Sequence, residues 1–428
     1  MGAVQMTGRI NSDDHTMADF FTLEDKDLFA KCYPCYEYIE DWKRKGSYTY
    51  CRKMSSGCGN RAKIYDDTSG LEREMIMMAS NNYLGLSMHP KVIEAGEKAL
   101  RKYGSGMSGS PHLNGTTDLI KELERELAVV KGCEDVIVFS TGYSANVGTI
   151  SALIRTGDVV LIDRLSHASI IDGCKLAGAN FRAFKHNDMK NLETLLKKCD
   201  KEFNGKLIVV DGVFSMDGDL APVREILDLA RRYKARVIID DAHGFGVLGE
   251  NGEGVAEYFG VKGEIDIILG TFSKTLASTG GFVAGGKEVI NYIRHYARSY
   301  IFSASITPVV AASVLAGIKV MRDEPERKDR LWGNVRYMHD NLKDMGYDVF
   351  PSPPESAIMI LTIGDEVKLR KMNKKIHEQG IFMNAVPYPA VSKDKCRFRI
   401  SLMATHTRED LDITLDALRK TGKEFGVI

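Results

Sequence analysis

Neither sign of charge prevails in this chain: 58 Lys and Arg are matched by 58 Asp and Glu. A net charge of zero gives no electrostatic reason to expect nucleic acid as a partner. No internal repeat or low-complexity tract occurs, and only 11 of the 428 residues are proline, so a repeat array is excluded. The first 21 residues lack a basic start followed by an apolar run. No secretory leader is expected, and the chain reads as cytoplasmic. Long apolar runs are also scarce. Residues 136–154 and 299–318 carry no charge over 19 and 20 positions, long enough to cross a bilayer. Both are interrupted by Ser, Thr, Asn or Gly, and Pro308 lies inside the second, so they are expected as buried core and not as transmembrane segments.

Eight cysteines are present, but their spacing fits neither metal nor redox chemistry. Cys32 and Cys35 form C-Y-P-C, whereas Cys51 and Cys58 have six residues between them, too wide for a second zinc knuckle. The first pair also lacks the preceding strand of a thioredoxin-like unit. Reduced thiols and no bound metal are expected.

A composition of 44% hydrophobic and 27% charged residues is that of a globular protein, and the length implies two or three domains. Residues 1–75 read as an irregular lead, helical over 21–45 with a break at Pro34, then a loop over 46–61. From about residue 76 short apolar runs alternate with amphipathic segments. The runs at 135–140, 158–163, 206–213, 235–242 and 266–271 are rich in Val and Ile on both faces, as strands buried in a parallel sheet are. Between them, Ile120, Leu123, Leu127 and Val130 recur at helical spacing. The alternation predicts a large α/β domain over 76–320 with a mostly parallel central sheet. Residues 321–428 predict a smaller α+β domain: helices over 327–345 and 366–379, strands over 357–363, 381–384 and 396–402. A last helix opens at Thr407-Arg-Glu-Asp410, a capping-box start.

Five polar clusters each follow the end of a predicted strand, where open α/β sheets bind ligands. Gly270-Thr-Phe-Ser-Lys274 places a lysine among small residues and glycines. Burial lowers a lysine's pKa, and the neutral amine forms a Schiff base. Asp240-Asp241-Ala-His243 ends another strand, and Ser140-Thr-Gly142-Tyr143 opens a helix whose backbone N–H groups suit a phosphate. Asp163-Arg-Leu-Ser-His167 and Asp211-Gly-Val-Phe-Ser215 complete the set. A lone histidine or lysine in such a place is most often structural. An activatable lysine, a carboxylate, a stacking ring and a phosphate nest together are the parts that pyridoxal 5′-phosphate requires. Gly244-Phe-Gly246-Val-Leu-Gly249 matches the dinucleotide fingerprint, but turn composition follows it where a helix should open, so NAD is not expected.

These segments, with SNNYLGL (80–86), FSTGYSANVG (139–148), SHASIIDG (166–173), HNDM (186–189) and RSYIFSAS (298–305), resemble those of the α-oxoamine synthases. That fold-type I pyridoxal-phosphate family includes serine palmitoyltransferase, glycine C-acetyltransferase, 8-amino-7-oxononanoate synthase and 5-aminolevulinate synthase. The likeness runs from about Ser80 to the C-terminus. It implies Lys274 as the Schiff-base lysine, Asp240 as partner of the pyridinium nitrogen, and His167 stacked on the ring. It further implies His243 and Ser215 at the phenolic oxygen, and Gly142, Tyr143 and Thr271 at the phosphate. Ser303 or Ser305 would reach that phosphate from a second subunit of a homodimer with shared active sites. Asn82 and Arg399 would grip the substrate carboxylate. Two places depart from the family pattern: Pro111-His112 stands where many relatives carry an arginine, and the loop at 386–391 has none before its prolines.

The implied reaction is decarboxylative condensation of a small amino acid with an acyl-CoA. The segment matches favour L-serine and a long-chain acyl-CoA, giving a 3-ketosphinganine-type aminoketone with peripheral membrane contact to deliver a lipid product. Glycine with acetyl-CoA and the 8-amino-7-oxononanoate reaction are the alternatives. A silent partner subunit is the non-catalytic one, and Lys274 argues against it.

Overall fold

The computed structural model describes residues 10–66 and 70–428; part of the leader segment, residues 1–9, lies outside them. Among the described residues the first strands are β1 (Arg61–Asp66) and β2 (Leu71–Met77), after which the chain enters the central sheet. That sheet contains β3 (Asp135–Phe139), β4 (Val159–Asp163), β5 (Asn180–Phe184), β6 (Lys206–Asp211), β7 (Arg236–Asp240), β8 (Ile267–Thr271) and β9 (Gly281–Gly285). Their spatial order is β3-β9-β8-β7-β6-β4-β5, parallel from β8 to β5, with β9 antiparallel to both neighbours.

The strands alternate between two cores with a period of two, as a sheet covered on both faces must. Val136, Leu161, Ile208, Val237 and Ile268 join one core, while Ile137, Val160, Leu207, Ile238 and Ile267 join the other. The helices Gly142–Leu153, Ala168–Leu176 and Lys287–Tyr296 cover the second face. The helix Asp118–Lys131 covers the first, on the apolar positions read from its sequence. The five expected strands are present. The sheet has two more: β5 is a largely exposed edge strand, and β9 is a glycine-bounded return that pairs back against β8.

The C-terminal part is α+β as expected. β10 (Val349–Phe350), β11 (Ile358–Thr362), β13 (Asn384–Val386) and β14 (Arg397–Ser401) form an antiparallel sheet, while β12 (Ile381–Phe382) joins β1 and β2. The final helix, Arg408–Glu424, carries the reciprocal Thr407–Asp410 capping box.

The lead is more ordered than its sequence suggests. A helix spans Cys32–Arg44, so Pro34 falls in its first turn, where an N–H has no helical acceptor to lose. Trp42 stacks under Arg370 at 4.8 Å, Asn373 donates to Thr49 Oγ1 at 3.0 Å, and Arg61 pairs with Asp410 at 2.7 Å. The expected division at 75/76 falls inside β2, because β1 and β2 are tied to the C-terminal part through β12. The uncharged stretch at 299–318 is split between two helices, Arg298–Ile301 and Pro308–Asp323. Among the described residues no helix is long and apolar enough to cross a membrane.

Candidate active site

The clusters singled out in sequence emerge at the carboxyl end of the central sheet, around a cavity of about 300 Å³. Strand register brings two of its carboxylates together, since Asp211 pairs with Asp240 across β6 and β7. Asp240 is 7% exposed; it accepts from Asn146 Nδ2 at 2.7 Å and from the Ala242 N–H at 3.1 Å. Asp211 accepts from the His167 N–H at 2.9 Å. Burial first, then the neighbouring Asp240 charge, holds the Asp211 carboxyl well above the ordinary range. Lys274 follows β8 and lines the same cavity. Burial lowers its pKa to about 8; Asp240 and Asp211 oppose that shift, and Arg399 adds to it. The amine is therefore available as a nucleophile or base near neutral pH.

Two histidines face this lysine, and in both burial favours the neutral ring. His167 is pulled down by burial and by the Lys274 charge, against the opposing pull of Asp240. Its Nδ1 meets Ser169 Oγ at 2.7 Å and the Ser169 N–H at 3.3 Å. Asn146 Nδ2 donates to that same Ser169 hydroxyl at 3.0 Å. Asp240, Asn146, Ser169 and His167 therefore form one hydrogen-bonded chain, which fixes the carboxylate and the imidazole relative to each other. His243 is pushed well down by burial, then by Lys274 and Arg399. Its Nδ1 lies 2.6 Å from the Tyr83 hydroxyl, which in turn donates to Asn81 Oδ1 at 3.2 Å.

Arg399, on β14, enters from the C-terminal part. Its Nε donates to Ser215 O at 2.6 Å, and both Nη atoms reach Asn81 Oδ1 at 3.1 Å. Ser401 Oγ accepts from Nη1 at 2.9 Å. One acceptor oxygen held by both Nη atoms marks where a carboxylate oxygen fits.

The remaining wall is the start of the helix Gly142–Leu153. Thr141 caps it, its Oγ1 accepting from the Ser144 N–H at 2.9 Å. The first-turn N–H groups of Gly142 and Tyr143 have no helical acceptor. Thr271 and Ser273 place hydroxyls 2.8 Å apart beside them. A Cβ on Gly142 would lie 2.8 Å from Thr271 Cβ, and one on Gly281 2.6 Å from Gly142 Cα, so both glycines are required for β8 and β9 to close on the helix start. An anion cup at one wall, a lysine and a carboxylate fit pyridoxal phosphate.

Arg399 stands behind the cavity wall on Ser215 O, and Gly142, Tyr143, His167, Ser215, Asp240, His243, Thr271 and Lys274 thus line one cavity. Asn82 does not. Its amide donates to Cys58 O at 3.0 Å and Ser87 Oγ at 2.7 Å, and it is the neighbouring Asn81 that meets Arg399. The turn of SNNYLGL sends the two side chains opposite ways, so Asn81, and not the expected Asn82, is the one that meets Arg399 in this structure. Ser303 and Ser305 lie off the cavity of their own chain; Ser305 packs on Gly109 and Gly115. Asn146, Ser169, Asp211, Asn81 and Tyr83 have no role in the sequence reading. The fingerprint-like glycines form a turn after β7: Gly246 and Gly249 have φ of +80° and +85°, and no helix opens there.

The family model for aminotransferase class I and II matches residues 73–418. Over 393 residues the chain is 42% identical to serine palmitoyltransferase of Bacteroides ovatus, covering 92% of this chain and 98% of the relative. It is 40% identical over 392 residues to 8-amino-7-oxononanoate synthase of Thermoanaerobacter pseudethanolicus, covering 92% and 97%. Identity is 43% over 415 residues to 4-hydroxy-2,2'-bipyrrole-5-methanol synthase PigH of a Serratia species, covering 97% of this chain but 63% of that longer protein. A solved serine palmitoyltransferase with its pyridoxal phosphate internal aldimine superposes with a TM-score of 0.89 at 35% identity, covering 94% of this chain and all of that one. The chain therefore belongs to the aminotransferase class I and II family and, within it, to the α-oxoamine synthases, as a pyridoxal-phosphate-dependent acyltransferase.

Proposed function

We propose that the chain condenses L-serine with a long-chain acyl-CoA, releasing CoA and CO2 and giving a 3-ketosphinganine-type aminoketone. The observation that carries an amino-acid substrate is Arg399, buried behind Ser215 of the cavity wall with both Nη atoms on one acceptor oxygen. Serine is favoured over glycine on the similarity to serine palmitoyltransferase over nearly the whole chain. A site that hydrogen-bonds a hydroxyl rejects the analogue lacking it far better than a merely roomy site does.

Pyridoxal phosphate, when bound, supplies an electron-withdrawing ring that stabilises negative charge at the amino acid's α-carbon. Gly142, Tyr143 and Thr271 would hold its phosphate, with Ser303 or Ser305 of a second copy completing the cup. Asp240 would keep the ring nitrogen protonated, His167 would lie over the ring, and His243 and Ser215 would approach its phenolic oxygen. Lys274 would hold the aldehyde carbon and, once released, take the α-proton at Nζ. Arg399 and Asn81 would hold the carboxylate and so orient the α-carbon toward Lys274.

The active assembly in this reading is a cytoplasmic homodimer with sites shared across a two-fold axis, touching the membrane surface only to deliver product. Sedimentation of an active monomer at micromolar concentration would overturn the dimer. Loss of Arg399 should weaken amino-acid binding by roughly 2–4 kcal/mol and leave acyl-CoA binding little changed. The substrate test is a competition among serine, glycine and alanine, with palmitoyl-CoA and separately acetyl-CoA, the products identified by mass. Serine with palmitoyl-CoA should give the highest kcat/KM. Glycine with acetyl-CoA ahead of it would replace this reading with glycine C-acetyltransferase. Alanine is included because 8-amino-7-oxononanoate synthases are as similar to the chain as serine palmitoyltransferases are.

A further inference from the structure

We propose that His186, outside the cavity, is a positioning residue: held as an imidazolium between Asp163 and Asp219, it fixes the turn at 213–220 and through that turn the placement of Arg399. The inference rests on the reading of Arg399 as the carboxylate anchor.

His186 follows β5 and belongs to the HNDM segment, which has no role in the site described above. Its Nδ1 lies 3.1 Å from Asp163 Oδ1 and its Nε2 2.8 Å from Asp219 Oδ2. Both carboxylates are buried, at 1% and 7% exposure. A carboxylate only accepts, and a neutral imidazole donates from one nitrogen alone, so two such contacts require a ring protonated at both. Asp163 also accepts from the Leu165 and Asn187 N–H groups at 2.8 and 2.9 Å, which suits its ionised form. The Phe214 ring packs edge-on against the imidazole at 4.5 Å. Burial pulls the His186 pKa down, but the two carboxylates more than offset it and leave it pushed up to about 9.

What this cation holds is a joint. Val213 and Leu220 bridge to close the turn, and Phe214 N–H donates to Asp219 O at 3.0 Å. The inner side is gripped by His186 and by Asn187, whose Nδ2 donates to Asp219 Oδ2 at 3.2 Å and Leu220 O at 3.0 Å. The outer side grips the C-terminal part. Ser215 O accepts from Arg399 Nε, Asp217 Oδ1 from Arg397 Nη1 at 2.8 Å, Gly218 O from Ser356 Oγ at 2.7 Å, and Glu355 from the Leu220 N–H at 2.8 Å. Gly218, with φ of +84°, allows this closeness: a Cβ there would lie 2.7 Å from Ile358 O. One side of the turn is therefore fixed by the His186 cluster, and the other carries Arg399. Removing the cation leaves Asp163 and Asp219 as buried, like-charged neighbours of the turn, and the turn relaxes. Lys274 and Asp240 stand on other strand ends; His167 follows Asp163 on β4 and Ser215 lies in the turn itself, so the disturbance reaches the cofactor wall less directly than it reaches Arg399.

The test uses the holoenzyme with whichever of serine, glycine or alanine the wild type turns over fastest. H186Q, D219N and the double variant H186Q/D219N are compared with R399K. Amino-acid affinity is read both as KM and by calorimetric titration without acyl-CoA, alongside kcat, acyl-CoA KM and the thermal midpoint. H186Q should raise the amino-acid KM and Kd about ten- to a hundredfold, with acyl-CoA KM within about twofold of wild type and kcat at saturation falling much less than affinity, since Ser215 shares the turn. The double variant, which replaces the ionic contact by an amide pair, should recover most of that loss. If H186Q does not fold, D219N alone must show the same split between KM and kcat. An unchanged amino-acid Kd in H186Q or D219N, or a fall in kcat without one in affinity, overturns the inference. R399K without effect on amino-acid binding overturns instead the reading it rests on.

Discussion

Asp240 and Asp241 are neighbours in the chain, yet they serve two regions that use buried charge in opposite ways. Asp241 faces away from the cavity. Its Oδ2 accepts from Lys131 Nζ at 2.7 Å and its Oδ1 from the Val255 N–H at 3.1 Å. Lys131 is completed by Glu253 O at 2.6 Å and by the Phe245 ring at 4.0 Å. Both side chains of that pair are at most 2% exposed. Gly244 and Gly254 close on it, since a Cβ at either would come within 2.2 Å of the carboxylate. Asp240 has only neutral donors, Asn146 and Ala242, while its counter-charge, Lys274, belongs to the cavity wall. A closed pair commits its charge to the fold. Burial raises the carboxyl pKa in both regions, Asp241 as well as Asp211, but the open pair keeps its charge for whatever enters the cavity, and its lysine is lowered to about 8.

Exchanging the two lysines' fates is the strongest way to break that comparison. Lys274→Ala should abolish turnover, by at least about 10⁴-fold, with the thermal midpoint at or above wild type because a desolvated amine has been removed. Lys131→Met should do the reverse: activity per folded molecule within a few fold, and stability lower by about 3–5 kcal/mol because Asp241 is left buried and unpaired. Denaturant titration and single-turnover rates measured on the same preparations decide it. A Lys131 variant that loses chemistry while remaining stable would erase the distinction.

The carboxylates should separate in the same sense but less widely. Asp240→Asn is expected to lower kcat about 10²–10³-fold with little change in stability, since the amide keeps the contact with Ala242 while losing the charge. Asp241→Asn should leave kcat nearly intact and cost a few kcal/mol through the stranded Lys131. The pH dependence sharpens the contrast further. In protein freed of cofactor, uptake of added pyridoxal phosphate should quicken about tenfold per pH unit below 8 and level off above it, following the neutral fraction of Lys274. Stopped-flow absorbance reads that rate, and a profile flat from pH 6 to 9 would contradict an open, titrating lysine.

How much of this is legible in sequence follows the same division. β3, β4, β6, β7 and β8 announce themselves because both faces are buried and carry Val and Ile. Lys274, Asp240, His167, His243 and Gly142 are legible because each stands within a few residues of such a strand end. β5 carries no signal, since an exposed edge strand needs no apolar alternation, and β9 is hidden by its glycines. Asn146 lies near the start of an apolar helix, and its pairing with Asp240 spans 94 positions. No local pattern encodes such a contact. The order in the lead is hidden for the same reason: Trp42, Thr49 and Arg61 find their partners more than 300 residues away.

The smallest expected effect concerns a second pair of neighbours that face opposite ways, Asn81 and Asn82. Asn81 Oδ1 accepts from both Nη atoms of Arg399, from Ser401 Oγ at 3.1 Å and from Tyr83. It therefore sits where a substrate carboxylate would compete for the same donors, and its amide group can turn to donate once the carboxylate arrives. Asn82 instead ties the turn to Cys58 O and Ser87. Asn81→Ala should raise the amino-acid KM by about tenfold, the worth of one hydrogen bond to a charged group, with acyl-CoA KM unchanged. Asn82→Ala should leave both KM values alone and lower stability by about 1 kcal/mol. Measuring the two variants side by side separates the roles cleanly, because the substitutions are chemically identical and one residue apart. If Asn82→Ala moves the amino-acid KM and Asn81→Ala does not, the carboxylate is gripped by Asn82, and the 80–86 turn must present the opposite face to Arg399 when substrate binds.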